Sequence, residues 1–403
     1  MANSILYIDG FDQYSTVTQR WDFTGSNPTL TSAAARNGSK GLSLGNTAWV
    51  GKLFSSRATY IIGFAYQCAA LPAANRTICA FYDGTTNQVE LRLTNAGTLQ
   101  FARNGTTIGS ASTLTLSTGA WHYVEVKVTI DPSAGVAEAK VDGVSFLALS
   151  SQNTRASSNS TANRIYLGEI LNANSSANSL FYDDFYVMDP TAGGAYSTYL
   201  GDQKVVPLLP TSNGTSNQWS QAAASWSAST VMSLGQQIID SNGALQQVTA
   251  ITGDFKTGSG SHPTWASSVG VTTTDNHVTW TLIQKATLSN FNFVNEVPPD
   301  DDQSYIVDST VGHIDRYLMT TLSGSGISAV AVNIRADKDD VGTRSIRAQI
   351  DSGGTIVDNG TDIALTQNTY QTFQNIWETD PNTSAAWTSS GVNAAEFGVK
   401  LTA

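Results

Sequence analysis

The sequence predicts an all-β protein, and three observations lead to this fold class. The stretch Trp121–Ile130 alternates between apolar and polar residues, as expected of a strand with one face on a core and one in water. Similar short runs recur through the first 190 or so residues, separated by turn dipeptides such as Asn104-Gly105 and Asp142-Gly143. Only 13% of the residues are charged, which is typical of short strands and tight turns rather than of exposed helices.

The alternation also assigns side chains to faces. Along Val124–Ile130 the apolar side chains are expected to face a core, while Glu125, Lys127 and Thr129 face water. The range Val136–Leu149 is expected to form a hairpin around its Asp-Gly dipeptide, which adopts the positive φ angles of a tight turn. Many strands at spacings of about 8–12 residues, without a helical period, predict a sandwich or jelly roll.

The two cysteines, Cys68 and Cys79, adjoin two apolar runs. These runs, Tyr60–Tyr66 and Thr77–Tyr82, are interpreted as two strands of one hairpin joined by a loop that contains proline. A symmetric hairpin places the two cysteines opposite each other, within reach of a disulfide. Two buried free thiols are the alternative, which a reducing cytoplasm favours.

Composition excludes several classes of function. The net charge of −11 and the lack of Lys and Arg clusters argue against nucleic acid as a partner. No apolar run reaches the ~18 residues that a membrane span needs, so membrane insertion is not expected. Met1–Ser4 leads directly into the apolar-polar run Ile5–Ile8 without a basic segment, which predicts synthesis in the cytoplasm without a signal peptide.

Three segments of the first half resemble a known family. They are Tyr7–Asp12 near the start, Val141–Val144 in the middle and Phe181–Val187 at the end. Together they resemble laminin-G-like, concanavalin-type jelly rolls. The resemblance implies a jelly-roll domain over residues 1–190 whose last strand returns beside the first.

The second half contains segments that look like segments common in phage virion proteins. They are Tyr199–Pro210, Asn217–Trp219, Val294–Asp302, Ile376–Pro381, Ala386–Thr388 and Val392–Lys400. Runs such as Ala329–Arg335 and Ser345–Ile350 have the composition of strands. We therefore expect a second β-sandwich, built from residues 191–224 and 285–403.

Between these parts, residues 225–284 are interpreted as a small inserted β module. The range is similar to the tryptophan-bearing modules of phage fibres and to chitinase-type carbohydrate-binding modules. Its tryptophans Trp226, Trp265 and Trp280 are candidates for a glycan-binding platform, because sugar rings stack on exposed aromatic rings. The alternative is that a module of about 60 residues needs these rings for its own core.

The sequence offers no catalytic, metal or cofactor constellation. Glu125 has no carboxylate two or four residues away, Glu138 has only Asp142 of the Asp-Gly turn, and the adjacent Asp183-Asp184 should point to opposite faces of a strand. Asp300–Asp302 lacks the spacing of a calcium loop, and the four histidines lack metal-ligand spacing. We therefore predict that the chain is not an enzyme and has no cofactor.

The resemblances imply a structural component of a tailed-phage virion, most simply a tail-fibre or tail-appendage subunit assembled in the host cytoplasm. Its expected partners are other virion proteins, further copies of itself in a homo-oligomer, and a host-surface glycan. The alternatives are a capsid decoration or head-fibre protein and a glycan-binding receptor recogniser. The sequence does not decide between a tail and a capsid location.

Overall fold

A computed structural model describes residues 3–169, 179–285 and 289–403. It confirms the all-β prediction and divides the chain into two compact units. The first unit runs to Pro207 and includes Ser328–Ala331 and Ile376–Thr379. The second consists of Leu208–Ile327, Val332–Asn375 and Asp380–Ala403.

The first unit contains short 3-10 helices at Val17–Gln19 and Ser32–Ala34 and a series of strands. The strands are β1 Ile5–Asp9, β2 Phe23–Thr24, β3 Thr29–Thr31, β4 Gly41–Leu44, β5 Trp49–Arg57, β6 Thr59–Cys68, β7 Arg76–Asp83, β8 Thr86–Leu93, β9 Leu99–Arg103, β10 Thr106–Ile108, β11 His122–Thr129, β12 Gly135–Val141, β13 Val144–Gln152, β14 Ala162–Gly168 and β15 Leu180–Met188.

These strands form two antiparallel sheets of a jelly roll. One has the order β13-β12-β11-β6-β15-β4-β3, with β1 also pairing with β15, and the other has the order β10-β9-β8-β7-β14-β5-β2. The first strand therefore does return to the last, from Ile5 opposite Met188 to Asp9 opposite Phe185. The expected hairpin is also present, because Val141 pairs with Val144.

The core of this unit lies between the two sheets. Val124, Val126 and Val128 of β11 are fully buried in it, as the alternation predicts, together with alternate residues of β8 such as Val89 and Leu91. Burial of one such side chain contributes about 1.5–3 kcal/mol. Because the inward residues are fixed by this core, the residues between them must point outward from each sheet.

Part of the outer face of the eight-stranded sheet is covered by protein, whereas the sequence analysis expected this face to lie in water; Lys127 and Thr129 are partly exposed, but Glu125 is not. Glu125 is only 2% exposed. Its Oε1 accepts hydrogen bonds from the Tyr186 hydroxyl at 2.6 Å and from the Gly201 backbone N–H at 2.8 Å. Tyr199 and Leu200 pack in the same apolar cluster as Tyr186. This segment belongs to the first unit and covers the face that alternation alone assigned to solvent.

The Asp183-Asp184 pair also differs from its prediction. Strand β15 contains a bulge here, with Asp184 at φ 51°. Both carboxylates consequently reach the same loop: Asp183 accepts from the Arg36 and Asn37 backbone N–H groups, and Asp184 accepts from the Asn37 side-chain amide. The two side chains do not diverge, because the bulge interrupts the alternation on which that expectation rested.

The predicted Cys68–Cys79 hairpin is wrong. Cys68 lies on β6 and pairs with Leu180 in the eight-stranded sheet, whereas Cys79 lies on β7 and pairs with Leu91 in the other sheet. The loop with Pro72 crosses from one sheet to the other instead of reversing within one sheet. Both cysteines are free and buried in the core.

The remaining strands are β16 Pro210–Asn217, β17 Ser220–Ala223, β18 Gln237–Ile239, β19 Leu245–Ile251, β20 Thr272–Asp275, β21 Val278–Gln284, β22 Ser304–Val307, β23 Ile314–Met319, β24 Val330–Ala336, β25 Ser345–Ser352, β26 Thr355–Asp358, β27 Ile363–Ala364, β28 Gln371–Trp377 and β29 Glu396–Leu401. Helix α1 spans Ser389–Ala394, and 3-10 turns lie at Asn290–Phe293 and Asp301–Gln303. Within the described ranges, no helix is long and apolar enough to cross a membrane.

These strands form four sheets. The largest has the order β16-β23-β29-β25-β26, with β27 also pairing with β25. Strands β17 and β22 form a pair, as do β24 and β28. The fourth sheet, β18-β19-β21-β20, lies wholly within residues 225–284, the range predicted to be an inserted module.

We expect both thiols to be present and unreactive in the native protein. Burial raises the pKa of the Cys79 thiol and, less strongly, that of Cys68, which keeps both protonated and shielded. A thiol-specific chromogenic reagent at pH 8 should therefore titrate about two thiols per chain only after denaturation without reductant. Fewer than two thiols in the denatured, unreduced chain would contradict the separation of the cysteines between sheets.

Candidate ligand-binding face

The three tryptophans of residues 225–284, the range predicted to be an inserted module, come together mainly in one apolar cluster. Trp280 is fully buried and Trp265 is 7% exposed, with their rings 5.8 Å apart, edge to face. The indole N–H groups of Trp226 and Trp280 both donate to Oδ2 of Asp275, at 2.7 and 3.3 Å. The structure therefore does not present a platform of three exposed rings, because a module of this size uses large rings to fill its small core.

Trp226 alone of the three keeps a partly exposed ring. It lies edge to face with the exposed imidazole of His262, with ring centroids 6.2 Å apart. A glycan contact at Trp226 stays a prediction.

A second aromatic cluster, which the sequence analysis missed, lies on the outer face of the seven-stranded sheet. Residues opposite one another across antiparallel strands share a face. One such row crosses six strands and consists of Phe23, Gly51, Tyr166, Ala80, Glu90 and Ala102. The sequence neighbours of these residues, such as Ile165 and Phe81, point into the core, so this row points outward.

Tyr166 is the centre of the aromatic cluster. Its ring lies 4.8 Å from that of Tyr82, 5.4 Å from that of Trp49 and 6.3 Å from that of Phe23. Gly51 permits this arrangement, since a Cβ at that position would lie 2.4 Å from the Tyr166 ring. Phe23 and Trp49 are half-buried, whereas the two tyrosines are nearly buried. The cluster therefore exposes the rings of Phe23 and Trp49 to solvent, while the rings of Tyr82 and Tyr166 are nearly buried beside them.

A buried charged network adjoins the cluster on the same face. Glu90 is 1% exposed and accepts hydrogen bonds from Arg92 Nη2 at 2.6 Å and from Thr77 Oγ1 at 2.7 Å. Arg92 Nη1 also donates to the Gly105 carbonyl oxygen. Because both carboxylate oxygens have partners, the network is neutralised and fixed in place. The alternation along Val89–Leu93 is the sequence signal that could have placed Glu90 and Arg92 on one outward face.

Arg164 and Tyr82 form the cationic and phenolic part of this face. They are opposite each other across β14 and β7, and the Arg164 guanidinium lies over the Phe23 ring, 4.4 Å from its centroid. Burial, reinforced by the nearby Glu90 carboxylate, raises the pKa of the Tyr82 phenol. The phenol is therefore neutral near pH 7 and carries a proton that it can donate.

The acidic run Asp300–Asp302 is engaged with protein groups. Asp300 accepts hydrogen bonds from the backbone N–H and the hydroxyl of Ser304, Asp301 pairs with Arg335, and Asp302 accepts from the Tyr370 hydroxyl. Among the residues that the structure describes, no group of three or more His, Cys, Asp or Glu side chains is placed to hold a metal ion.

Comparison with known proteins shows only distant likeness to solved structures. No family model and no curated protein matches the chain. Among solved structures, the cellulose-induced protein Cip1 matches at 17% identity and a TM-score of 0.35, over 49% of this chain and 93% of its own. Alginate lyase Aly36B matches at 14% identity and a TM-score of 0.35, over 47% and 98%, and a Trypanosoma rangeli sialidase at 14% and 0.28, over 37% and 25%. Likeness at this level carries no argument about fold or function, and the assignment to the all-β jelly-roll class follows from the sheets of the structure itself.

One prediction requires correction in view of these matches. The sequence analysis concluded that the chain is not an enzyme, but the matched structures include enzymes, namely an alginate lyase and sialidases. That conclusion is contradicted. The lack of an obvious carboxylate pair in the sequence is not a ground for excluding catalysis on such a fold.

We expect Asp183 to make the stability of the first unit depend on pH. Burial, together with the adjacent Asp184, raises the pKa of its carboxyl to about 7. An acid with a raised folded-state pKa stabilises the fold fully below its unfolded pKa of about 3.9, and this contribution is lost as pH rises through about 7. Asp183→Asn should therefore flatten the fall in unfolding free energy between pH 4 and 8, by about 4 kcal/mol.

Thermal denaturation at a series of pH values measures this effect. The matched control is Asp339→Asn, which neutralises an exposed carboxylate and should leave the slope unchanged. An Asp183→Asn variant with the same pH slope as the wild type would show that the buried carboxyl does not titrate in this window.

Proposed function

We propose that the chain binds a glycan on the outer face of the seven-stranded sheet. The observation that carries the proposal is the cluster of Phe23, Trp49, Tyr82 and Tyr166, of which the first two meet solvent. Sugar rings present C–H faces that stack on aromatic rings, and their hydroxyls require a few well-placed polar groups. The Arg164 guanidinium beside the Phe23 ring supplies such a group.

The opposite sheet offers less to a ligand. Its outer face holds Tyr123 and Tyr186, but these rings pack against the chain's own Tyr196, Tyr199 and Leu200. Tyr186 and Glu125 are bonded to each other and to this segment. The seven-stranded sheet is therefore the better candidate of the two.

The proposal includes a biological setting that rests on sequence resemblance alone. In this setting the chain is a subunit of a tailed-phage fibre or appendage, present in several copies beside other virion proteins, and the glycan lies on the host surface. A head location is the alternative.

Mass spectrometry of purified particles, with heads and tails separated, tests both locations. The protein should appear in stoichiometric copies in the tail fraction, and its absence from particles would refute the setting.

We expect Trp49→Ala to weaken glycan binding about three- to tenfold, because an aromatic contact contributes about 0.5–1.5 kcal/mol beyond its buried area. A glycan array followed by calorimetry on the best ligand measures this loss. Trp226→Ala tests the alternative contact that the sequence predicts, and if the site lies on the seven-stranded sheet this variant should bind as the wild type does. Loss of binding in Trp226→Ala with Trp49→Ala unaffected would place the site in the module and contradict the proposal.

A further inference from the structure

A second row of the same face contains polar atoms without partners. This row runs Leu53, Arg164, Tyr82 and Asn87 across β5, β14, β7 and β8. Asn87 is placed opposite Tyr82 because a bulge skips Gln88. The second row therefore lies beside the first. Its Tyr82 belongs to the aromatic cluster, and its Arg164 lies over the ring of Phe23.

Three neighbours in this row have buried side-chain atoms that make no hydrogen bond within the described residues. The atoms are Tyr82 Oη, both Oδ1 and Nδ2 of Asn87, and Arg164 Nε. Tyr82 is 4% exposed and Asn87 is 2% exposed. Buried polar atoms are hydrogen-bonded in the large majority of cases, and an unsatisfied one costs about 1–3 kcal/mol. Such a concentration in three adjacent residues indicates a place where a bound group supplies the partners.

The charge of this row is not neutralised by the protein. Arg92, on the same sheet, is paired with Glu90, but Arg164 has no carboxylate within ion-pairing distance among the residues that the structure describes. Arg164 is also the member of the three that solvent reaches, since it is half-buried. Its planar guanidinium suits a carboxylate, which it can bind through two parallel hydrogen bonds.

The other two polar side chains of the row, Tyr82 and Asn87, also have donors that suit a carboxylate. The neutral Tyr82 phenol donates one hydrogen bond, and the Asn87 amide donates through Nδ2. An ionised carboxylate only accepts hydrogen bonds, so it suits the donors of Arg164 and Tyr82, which lie opposite each other across β14 and β7, whereas the unpartnered Asn87 Oδ1 suits a hydroxyl of the same sugar. The polar part of the face is thus complementary to an anion.

We propose that the glycan bound on this face is a carboxylated saccharide. Its sugar ring lies against Phe23 and Trp49, and its carboxylate is bound by Arg164, Tyr82 and Asn87. This inference rests on the proposed function, because it names the chemical class of ligand for the same face. Uronic acids and sialic acids both supply the required carboxylate.

The net charge of −11 does not prevent such binding. Charges separated by more than about 8 Å are largely screened at physiological ionic strength. The contact with Arg164 is shorter than this distance, so the local cation decides the selectivity. The overall charge instead disfavours non-specific attachment of acidic polymers elsewhere on the chain.

The test compares acidic oligosaccharides with their carboxyl-reduced counterparts on the full chain. The probes are oligogalacturonate, oligomannuronate and a sialyl-oligosaccharide, each paired with the same sugar after reduction of its carboxyl groups. We expect at least one acidic probe to bind about tenfold or more tightly than its reduced form, equivalent to about 1.4 kcal/mol. The probe that does so identifies uronic or sialic acid as the source of the carboxylate.

Two variants connect this selectivity to the row. Arg164→Gln should remove the preference for the acidic form, whereas Arg103→Gln, which removes the same charge from β9, should keep it. Tyr82→Phe deletes only a hydroxyl without a partner, so the melting temperature should not fall, yet the preference should weaken. The Tyr82→Phe variant therefore tests the inference even if Arg164→Gln folds poorly.

The outcomes separate the two levels of the proposal. Equal affinity for an acidic probe and its reduced form would overturn the carboxylate inference and leave glycan binding intact. A preference that persists in both Arg164→Gln and Tyr82→Phe would also overturn it. No binding of any probe, acidic or neutral, would overturn both.

Discussion

The structure of the first unit depends on strand β15, which pairs with β1, β4 and β6. Its bulge at Asp183-Asp184 changes which residues face inward, so that Tyr182 and Phe185 both enter the core although they are three positions apart. The two bulge carboxylates are held by backbone and side-chain donors of the Arg36-Asn37 loop. One irregularity therefore lies between the part of β15 that pairs with β4 and the part that pairs with β1, and it attaches a loop to the sheet.

The core that β15 completes also determines what the opposite sheet presents. With its inward residues fixed, the seven-stranded sheet must point Tyr166, Tyr82 and Arg164 outward. Two neighbouring parts of this face differ in a way that matters for function. The Glu90 carboxylate is neutralised by Arg92 and both of its oxygens accept hydrogen bonds from the protein, whereas Arg164 is a cation without a carboxylate partner among the described residues, beside polar atoms without partners. A fixed frame beside an unsatisfied cationic row is the arrangement that ligand recognition requires.

Local patterns in the sequence predicted the elements well and their surroundings poorly. Alternation identified β11 and the Asp-Gly hairpin correctly, because both depend on neighbouring residues alone. It could not show that Tyr199 and Leu200 cover Glu125, or that the loop with Pro72 joins two different sheets. The proposed ligand-binding face was missed for the same reason: its aromatic residues come from β2, β5, β7 and β14, and only the order of strands brings them together. Tryptophan content indicated an aromatic module, but a count of rings does not tell buried from exposed ones.

The central claim is that ligand binds on the outer face of the seven-stranded sheet. A crystal structure of the chain with its tightest-binding oligosaccharide tests it most directly. The account predicts a sugar ring in van der Waals contact with Phe23 or Trp49 and a carboxylate within hydrogen-bond distance of Arg164. A sugar bound at Trp226 in the inserted module, with the seven-stranded sheet unoccupied, would contradict it.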